Sequence, residues 1–226
     1  MKKEIQSPIV DKQDLKAKAI AAAQSTCSAV RMGSSTLCTV AVGMNNKVFF
    51  YNIGDSGLYV LHYGVPPVKN GSPSPSAAKE WFIRDYTPKQ CHSFNFPFQL
   101  GRGADNPSHG SSDSLNVQAG DLCLVASDGL FDNLWPKDLT SLVNTFWKDG
   151  IPTEGEKTVP QLLQDMVNAI VGVTLKYSCG STTTPFENDA LQNGYKYQGG
   201  KPDDITAVLA LFQWRVCNKR SDNMPD

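Results

Sequence analysis

The sequence predicts an α+β fold, in which antiparallel strands form sheet layers and helices pack beside them. Short runs of β-branched and aromatic residues, separated by glycine-containing turns, occupy residues 36–62. An almost fully apolar strand pattern at residues 121–126 is followed by two helical patterns. Antiparallel strands together with paired long helices favour segregated layers over a doubly wound parallel sheet.

The composition is typical of a folded domain. The chain has 226 residues, of which 40% are hydrophobic and 19% charged, and its formal net charge is -1. We expect a single domain over 1–226, with loops at 64–79 and 101–114 and a flexible tail at 215–226. The balanced charge gives no reason to expect nucleic acid or an anionic membrane as the partner. No apolar run reaches the roughly 20 residues that span a bilayer.

Cysteine usage favours a reducing, intracellular compartment. The 6 cysteines form no Cys-x-x-Cys pair and are too few for a disulfide-stapled scaffold of this length. The start, Met1-Lys2-Lys3-Glu4, is not followed by an apolar stretch, so it does not predict a secretory signal.

The first third of the chain predicts one helix and three strands. Residues 8–27 are rich in helix-forming Ala, Lys, Gln and Leu, and Ser7-Pro8 suits a helix start. Three runs, at 36–42, 47–52 and 58–62, have the composition of strands and are separated by short turns. We therefore expect them to pair in order as an antiparallel meander.

The rest of the chain predicts further strands and two amphipathic helices. The strand candidates are 81–83, 121–126 and 205–212, and 94–100 is an apolar docking segment. The run 121–126 is almost fully apolar, as expected for a strand that is covered on both faces. Apolar residues recur at helical spacing over 139–146 and 162–171, and a capping box, Thr158-x-x-Gln161, precedes the second helix.

Three acidic turns lie beside predicted strands. Asp55 stands between two strands, Asp128 follows the apolar strand, and Asp203 precedes the last one. In an antiparallel sheet the end of one strand lies beside the start of its neighbour, so the three carboxylates can meet at one edge. Clustered carboxylates repel each other unless a cation neutralises them, and oxygen ligands favour Mg²⁺ or Mn²⁺. The alternative is that each is an ordinary tight turn, because Asp-Gly dipeptides need no function.

Other catalytic sites have less support. His62, His92 and His109 lack the spacing of a zinc site. Cys91 is adjacent to His92 in sequence, and neighbours seldom face each other as nucleophile and base. Ser127 lacks the Gly-x-Ser-x-Gly elbow of a serine hydrolase.

A glycine-rich turn at 33–36 could hold a phosphate group. It lacks the lysine of a phosphate-binding loop and precedes a strand, so a structural turn is the favoured interpretation.

Four segments together resemble the motifs of the metal-dependent protein phosphatases, the protein phosphatase 2C or PPM family. They occur in the family's order and spacing, and the resemblance as a whole extends over about residues 8–213, nearly the whole chain. The segments are Gly33-Ser34-Ser35-Thr36, Asn52-Ile53-Gly54-Asp55-Ser56-Gly57, Ala126-Ser127-Asp128-Gly129-Leu130-Phe131-Asp132-Asn133 and Gly200-Lys201-Pro202-Asp203-Asp204-Ile205-Thr206. The runs 96–100 and 185–204 resemble the branch with the mitochondrial phosphatases and their plant relatives, which allows a mitochondrial or plastid location.

The resemblance implies a β-sandwich flanked by helices and hydrolysis of phosphoserine and phosphothreonine in phosphoprotein substrates with Mn²⁺ or Mg²⁺. It implies that Asp128 and Asp203 bind metal and that Asp55 helps to hold an additional, weaker ion. The supporting residues would be Asp204, Ser127 and Gly129, and the structural motif residues Gly33, Ser35, Thr36 and Gly54. Oligomeric state does not follow from the resemblance.

One family motif is missing from this sequence. Family members begin with a segment that contains Asp-Gly-x-Gly-Gly, whose Asp bridges two metals, and this chain has no such segment. We therefore expect an N-terminally incomplete domain, an uncovered sandwich edge and weakened or lost activity. The alternative is a catalytically inactive pseudophosphatase that binds phosphoproteins.

Overall fold

The computed structural model describes residues 11–29, 31–43, 45–67, 77–152 and 156–213. The helices are α1 (Lys12–Ala29), α2 (Asp128–Phe131), α3 (Pro136–Phe146), α4 (Val159–Ser178) and α5 (Pro185–Gln192). The strands are β1 (Ser34–Ser35), β2 (Leu37–Val42), β3 (Lys47–Ile53), β4 (Gly57–Gly64), β5 (Glu80–Tyr86), β6 (Cys91–Ser93), β7 (Phe96–Pro97), β8 (Leu100–Gly101), β9 (Ser111–Asn116), β10 (Leu122–Ala126) and β11 (Ala207–Leu211).

Two antiparallel sheets pack face to face. One has the order β2-β3-β9 and the other the order β11-β10-β4-β5. Val48 and Phe50 of β3 form one core cluster with Leu58 and Val60 of β4 and with Cys123 of β10. Alternate residues of each strand therefore fill the space between the sheets, as in a β-sandwich.

Helices cover the outer faces of both sheets. Ala19 of α1 packs with Tyr51 and Ile53 of β3. Helices α3 and α4 cover the other sheet, where Ile170 belongs to the same buried cluster as Leu124 of β10. This order of layers confirms the predicted α+β fold and the sandwich flanked by helices.

Strand β10 is covered on both faces, as its apolar sequence predicts. Cys123 faces the core between the sheets, whereas Leu122 and Leu124 belong to the cluster under the helices. The predicted cap of α4 is also formed, because the Gln161 side chain accepts a hydrogen bond from the Thr158 N–H at 2.8 Å.

The predicted three-stranded meander is wrong. Strands β2 and β3 do pair, with Val40 opposite Phe50. The third strand, β4, instead pairs with β5 and β10 in the other sheet. Gly54, with a φ of 104°, reverses the chain between the two sheets, and an added side chain there would overlap Thr36.

The predicted loop at 101–114 is wrong for residues 111–114, which belong to β9 (Ser111–Asn116). Pro107–His109, within the same predicted loop, forms a short 3₁₀ helix. The Ser-Ser-Asp-Ser sequence has low strand propensity, and pairing with β3 overrides it. The structure shows the ends of the other predicted loop between β4 and β5. Residues 68–76 of that loop, the tail at 215–226 and the helix start at Ser7-Pro8 lie outside the described residues.

Each sheet has an outer strand with an exposed apolar side chain. Val42 of β2 is 64% exposed and Val208 of β11 is 59% exposed. In the described part of the chain, each of these strands has a neighbour on one side only. None of the described helices has the length and apolar character needed to cross a membrane.

Candidate metal centre at the strand ends

The three acidic turns lie at the same end of the four-stranded sheet. Ala126, the last residue of β10, is opposite Gly57 on one neighbour and Ala207 on the other. Asp128 follows Ala126 directly after Ser127, and Asp55 precedes Gly57 in the turn from β3. The register of the sheet therefore brings together turns that are far apart in the sequence.

The ammonium of Lys201 lies among three carboxylates. Its Nζ is 2.8 Å from Asp128 Oδ2, 2.9 Å from Asp132 Oδ2 and 3.0 Å from Asp203 Oδ2. Asp128 and Asp203, which the sequence predicts to bind metal, thus converge on one cation. The geometry brings together side chains that two different strand ends supply.

The charges in this cluster shift one another's protonation. Burial acts against the ammonium form of Lys201, but the charge of Asp132 and the hydrogen bonds to the three carboxylates raise its pKa. Burial acts against the charged form of Asp203 too, yet the hydrogen bond from Lys201 lowers the pKa of this carboxyl. Both groups are therefore held in their charged forms.

Asp132 and Lys89 extend the cluster. Asp132 is one helical turn beyond Asp128, and its N–H donates to the Asp128 carbonyl oxygen at 2.7 Å. Its other carboxylate oxygen is 2.7 Å from Lys89 Nζ. No role in the site was predicted from sequence for Asp132, Lys89 or Lys201. The spacing of Asp128 and Asp132 by four residues was the available signal, since it places both on one face of a helix.

Asp55 lies next to this cluster without contacting Lys201. Burial, and next the charge of Asp128, raise the pKa of the Asp55 carboxyl to about 6. Asp55 lines a cavity of about 230 Å³ with Lys89, Asp132 and Asp189. The carboxylate of Asp55 thus adds negative charge to the same strand ends.

Two of the predicted supporting residues connect β10 to the start of β11. The Ser127 hydroxyl donates to the Asp204 carbonyl oxygen at 3.1 Å and accepts from the Thr206 N–H at 3.1 Å. Gly129 approaches the Asp204 carbonyl so closely that an added Cβ would overlap it. Asp204 itself supports the cluster through its backbone, because its N–H donates to Asp203 Oδ1 at 2.9 Å.

The predicted structural motif lies behind Asp55. Thr36 Oγ1 is 2.7 Å from Ser56 Oγ, and the Thr36 side chain fills the space beside Gly54. The Ser35 hydroxyl donates to the Thr36 carbonyl oxygen at 2.9 Å. Gly33 has a φ of 93°, which suits the turn into β1. These residues fix the turn that carries Asp55.

The donor set has the chemistry of a hard-cation site. Within the described ranges, no three Asp, Glu, His or Cys side chains are grouped closely enough to hold a metal directly. The carboxylates of Asp128, Asp132 and Asp203 instead surround an ammonium, so their combined charge is already arranged around a cation. Carboxylate oxygens without sulfur or imidazole are the ligand type that Mg²⁺ and Mn²⁺ prefer, and in this structure the Lys201 ammonium takes the place of such a cation.

Known proteins with similar sequences are phosphatases by name. The protein phosphatase PTC7 homolog fig of Drosophila pseudoobscura pseudoobscura is 34% identical over 205 residues, which cover 85% of this chain and 53% of the fly protein. "Probable protein phosphatase 2C 80" of Arabidopsis thaliana is 31% identical over 182 residues, which cover 79% of this chain and 37% of the plant protein. The chain thus spans about half the length of these curated relatives or less. No family model matches the chain.

Solved structures of phosphatases share the fold. The photosystem II phosphatase PBCP superposes with a TM-score of 0.65 at 19% identity, covering 89% of this chain and 73% of that one. The catalytic domain of the serine/threonine protein phosphatase PstP, in complex with 2 manganese ions, superposes with a TM-score of 0.53 at 16% identity, covering 90% and 73%.

Proposed function

Because the chain belongs to the metal-dependent protein phosphatase family, also called protein phosphatase 2C, we propose that it hydrolyses phosphoserine and phosphothreonine in proteins. The observation that carries the proposal is the convergence of Asp128 and Asp203 on one cation at the end of the four-stranded sheet. That cation is the Lys201 ammonium, and carboxylates from separate strand ends repel one another unless such a positive charge offsets theirs.

Asp128 and Asp203 would hold Mn²⁺ or Mg²⁺, and Asp55 would help to hold a further ion. When bound, such ions supply an acidified water molecule and neutralise charge on the phosphoryl oxygens. The donor chemistry supports this assignment, since oxygen ligands from carboxylates are those that both ions prefer. Asp204, Ser127 and Gly129 would keep Asp128 and Asp203 in place through the backbone contacts described above.

Lys89 and Lys201 would interact with the phosphoryl group of the substrate rather than bind the metal. Lys89 and Lys201 lie among carboxylates that would otherwise repel a phosphoryl group. Lys89 also lines the cavity next to Asp55 and Asp132, so its ammonium can donate to a phosphoryl oxygen that enters there. The substrate's phosphate would thus meet positive charge from the chain itself.

The direct test is hydrolysis of p-nitrophenyl phosphate and of a phosphothreonine peptide by the chain, with Mn²⁺ and with EDTA. We expect turnover only with Mn²⁺, and its loss in Asp128→Ala and Asp203→Ala. Asp165→Ala is the matched control, because Asp165 is an exposed carboxylate of α4 that pairs with Lys157 away from the strand ends. Mn²⁺ binding without turnover would contradict the enzyme and leave the phosphoprotein-binding module.

A further inference from the structure

A chain of aromatic rings lies beside the candidate metal centre. Phe94, in the turn between β6 and β7, stacks on Tyr195 with ring centroids 5.0 Å apart and contacts Phe186 at 5.2 Å. Phe186 contacts Tyr197 at 4.8 Å. Two separate parts of the chain, the β6–β7 turn and the α5 region, therefore build one aromatic surface.

These rings border a groove that opens to solvent. A cavity of about 350 Å³ is lined by Phe94, Phe186, Tyr195 and Tyr197, with Lys196 among its other lining residues. Tyr195 is 57% exposed. We call this cavity the aromatic groove. A contiguous apolar surface of this kind is typical of a binding site.

The aromatic groove is continuous with the acidic site, by which we mean the carboxylates around Lys201 and the adjoining cavity that contains Asp55. Phe94, Asn95 and Phe186 line both this groove and the cavity that contains Asp55 and Lys89. The Phe186 ring also lies 5.2 Å from Lys201 Nζ. A ligand that reaches the carboxylate cluster through that cavity thus passes the aromatic rings.

The aromatic groove is preorganised in the absence of a ligand. Phe186 is buried in α5, and the Tyr195 N–H donates to the Ala190 carbonyl oxygen at 2.9 Å. The Tyr197 hydroxyl donates to the Gly200 carbonyl oxygen at 2.9 Å. Burial and the hydroxyl contact hold the rings of Phe186 and Tyr197, and the backbone hydrogen bond holds the main chain of Tyr195, so a ligand would have little of the groove to order on binding.

We propose that the aromatic groove binds an apolar side chain, preferably aromatic, of a phosphorylated peptide whose phosphoresidue enters the acidic site. This inference rests on the proposed function. Because the aromatic groove is continuous with the acidic site, the side chain in the groove and the phosphate in the acidic site belong to one ligand. The Phe186 ring lies 5.2 Å from Lys201 Nζ and 5.2 Å from the Phe94 ring, so the Phe94 ring is within about 10 Å of Lys201 Nζ. Neighbouring residues of an extended peptide are about 3.3–3.6 Å apart, so the side chain belongs to a residue within about three positions of the phosphoresidue.

The charged residues around the groove are of both signs. Lys196 lines the groove, and Lys89 lines the adjoining cavity together with Asp55, Asp132 and Asp189, so the two lysines are the groups that can attract a phosphate there. Offset stacking on Phe94 and Tyr195 would favour a planar ring over a glycine or alanine. The groove therefore selects substrates by the residue beside the phosphate.

The test compares a Phe series and a Gly series of phosphothreonine peptides, matched in pairs. The two peptides of a pair differ at one position, which holds Phe in one and Gly in the other. The pairs place this position, in turn, at each of the three residues on either side of phosphothreonine. With Mn²⁺, we expect kcat/KM for the best Phe peptide to exceed that of its Gly partner about 3- to 10-fold, mainly through a lower KM.

Tyr195→Ala should reduce this preference to about one. Phe96→Ala should keep it, because Phe96 is also 57% exposed but does not line the groove. Tyr195→Ala is expected to fold, since the hydrogen bond of residue 195 to Ala190 comes from the backbone. Phe94→Leu provides a second variant, which keeps apolar bulk and removes the stacked ring.

The outcomes separate the two proposals. Hydrolysis of Phe and Gly peptides at equal kcat/KM, or a preference that survives in Tyr195→Ala and Phe94→Leu, overturns the groove and leaves the phosphatase. Failure to hydrolyse either series or p-nitrophenyl phosphate overturns the phosphatase, and the groove inference with it. A preference that both groove variants abolish and Phe96→Ala retains supports the inference.

Discussion

The ammonium of Lys201 lies 2.8 Å from Asp128 Oδ2, although 73 positions separate the two residues in the sequence. The same ammonium contacts Asp132 and Asp203. One ammonium of the protein therefore offsets part of the negative charge of three carboxylates at the end of the sheet. This relationship gives the cluster a measurable contribution to stability.

Lys201→Gln should lower the stability of the fold. The substitution removes the positive charge and leaves the carboxylates of Asp128, Asp132 and Asp203 to repel one another. We expect a loss of about 1–3 kcal/mol in the free energy of unfolding, measured by urea denaturation in EDTA. Added Mg²⁺ should recover more stability in the variant than in the parent, because it replaces the missing charge.

Lys157→Gln is the control for that substitution. Lys157 forms an exposed pair with Asp165, so its loss should change stability by less than about 1 kcal/mol. Equal unfolding free energies for the parent, Lys201→Gln and Lys157→Gln would show that the three carboxylates do not depend on the ammonium.

Asp128→Asn and Asp203→Asn should each weaken Mn²⁺ binding more than Asp55→Asn does. The first two residues converge on a common cation, whereas Asp55 lies beside the cluster without contacting Lys201. Losing even a supporting group of a metal site costs about 10- to 100-fold in affinity, so losing a ligand should cost at least as much. Isothermal titration calorimetry measures the three affinities, and equal values in parent and variants would refute the assignment.

Gly129→Ala should be destabilising, whereas Gly172→Ala should not. An added Cβ at Gly129 would overlap the Asp204 carbonyl, and overpacking of this kind costs about 1–3 kcal/mol. Gly172 lies inside α4 with nothing within 4 Å of an added Cβ, so alanine there should stabilise the helix by about 0.5–1 kcal/mol. Thermal unfolding of the two variants should move in opposite directions, and a shift in the same direction would contradict the close approach at Gly129.

Asp121→Ala should destabilise the fold at the end of the four-stranded sheet that lies opposite Asp128. The Asp121 carboxylate is fully buried and lies 2.6 Å from both His62 Nδ1 and an Arg84 guanidinium nitrogen. It also accepts the Gln118 N–H at 2.6 Å. Removing the Asp121 carboxylate leaves the partly exposed His62 and Arg84 and the Gln118 N–H without their shared acceptor, so we expect a loss of about 1–3 kcal/mol. Urea denaturation measures the loss, and Asp165→Ala should show a change within about 0.5 kcal/mol.

Cysteine labelling should distinguish two pairs among the described thiols, the exposed Cys91 and Cys179 and the less accessible Cys38 and Cys123. Burial raises the pKa of Cys38 to about 11 and that of Cys123 to about 12, so both are protonated at pH 8. Cys91 and Cys179 are exposed. Iodoacetamide at pH 8 should therefore modify Cys179 in the native protein, Cys91 more slowly because burial and then the charge of Asp55 raise the pKa of its thiol, and Cys38 and Cys123 only after denaturation. Peptide mass spectrometry identifies the modified residues, and early labelling of Cys123 would contradict its buried position.

Local patterns predicted many of the elements. The capping box at Thr158 and Gln161 is formed, and the apolar run that became β10 is covered on both faces. The capping box depends on residues three positions apart, and the burial of β10 follows from the hydrophobicity of one short segment. Both can be recognised in the sequence without knowledge of the fold. The acidic turns at Asp55, Asp128 and Asp203 were visible for the same reason.

Strand pairing was not readable in this way. The sequence of β4 predicts the third strand of a meander, and residues 111–114, the first four of β9, fall in a predicted loop. Which strand pairs with which depends on contacts between residues far apart in the chain, and local propensity carries little information about them.

The sequence by itself determined which segments could form helices and strands and where carboxylates would stand at strand ends. Only the tertiary structure decided that Lys201 lies between Asp128, Asp132 and Asp203, and that Phe94 stacks on Tyr195. The physical reason is that these contacts join side chains from separate turns. The register of β10 with β4 and β11 positions the acidic turns, and packing of α5 against the β6–β7 turn positions the rings.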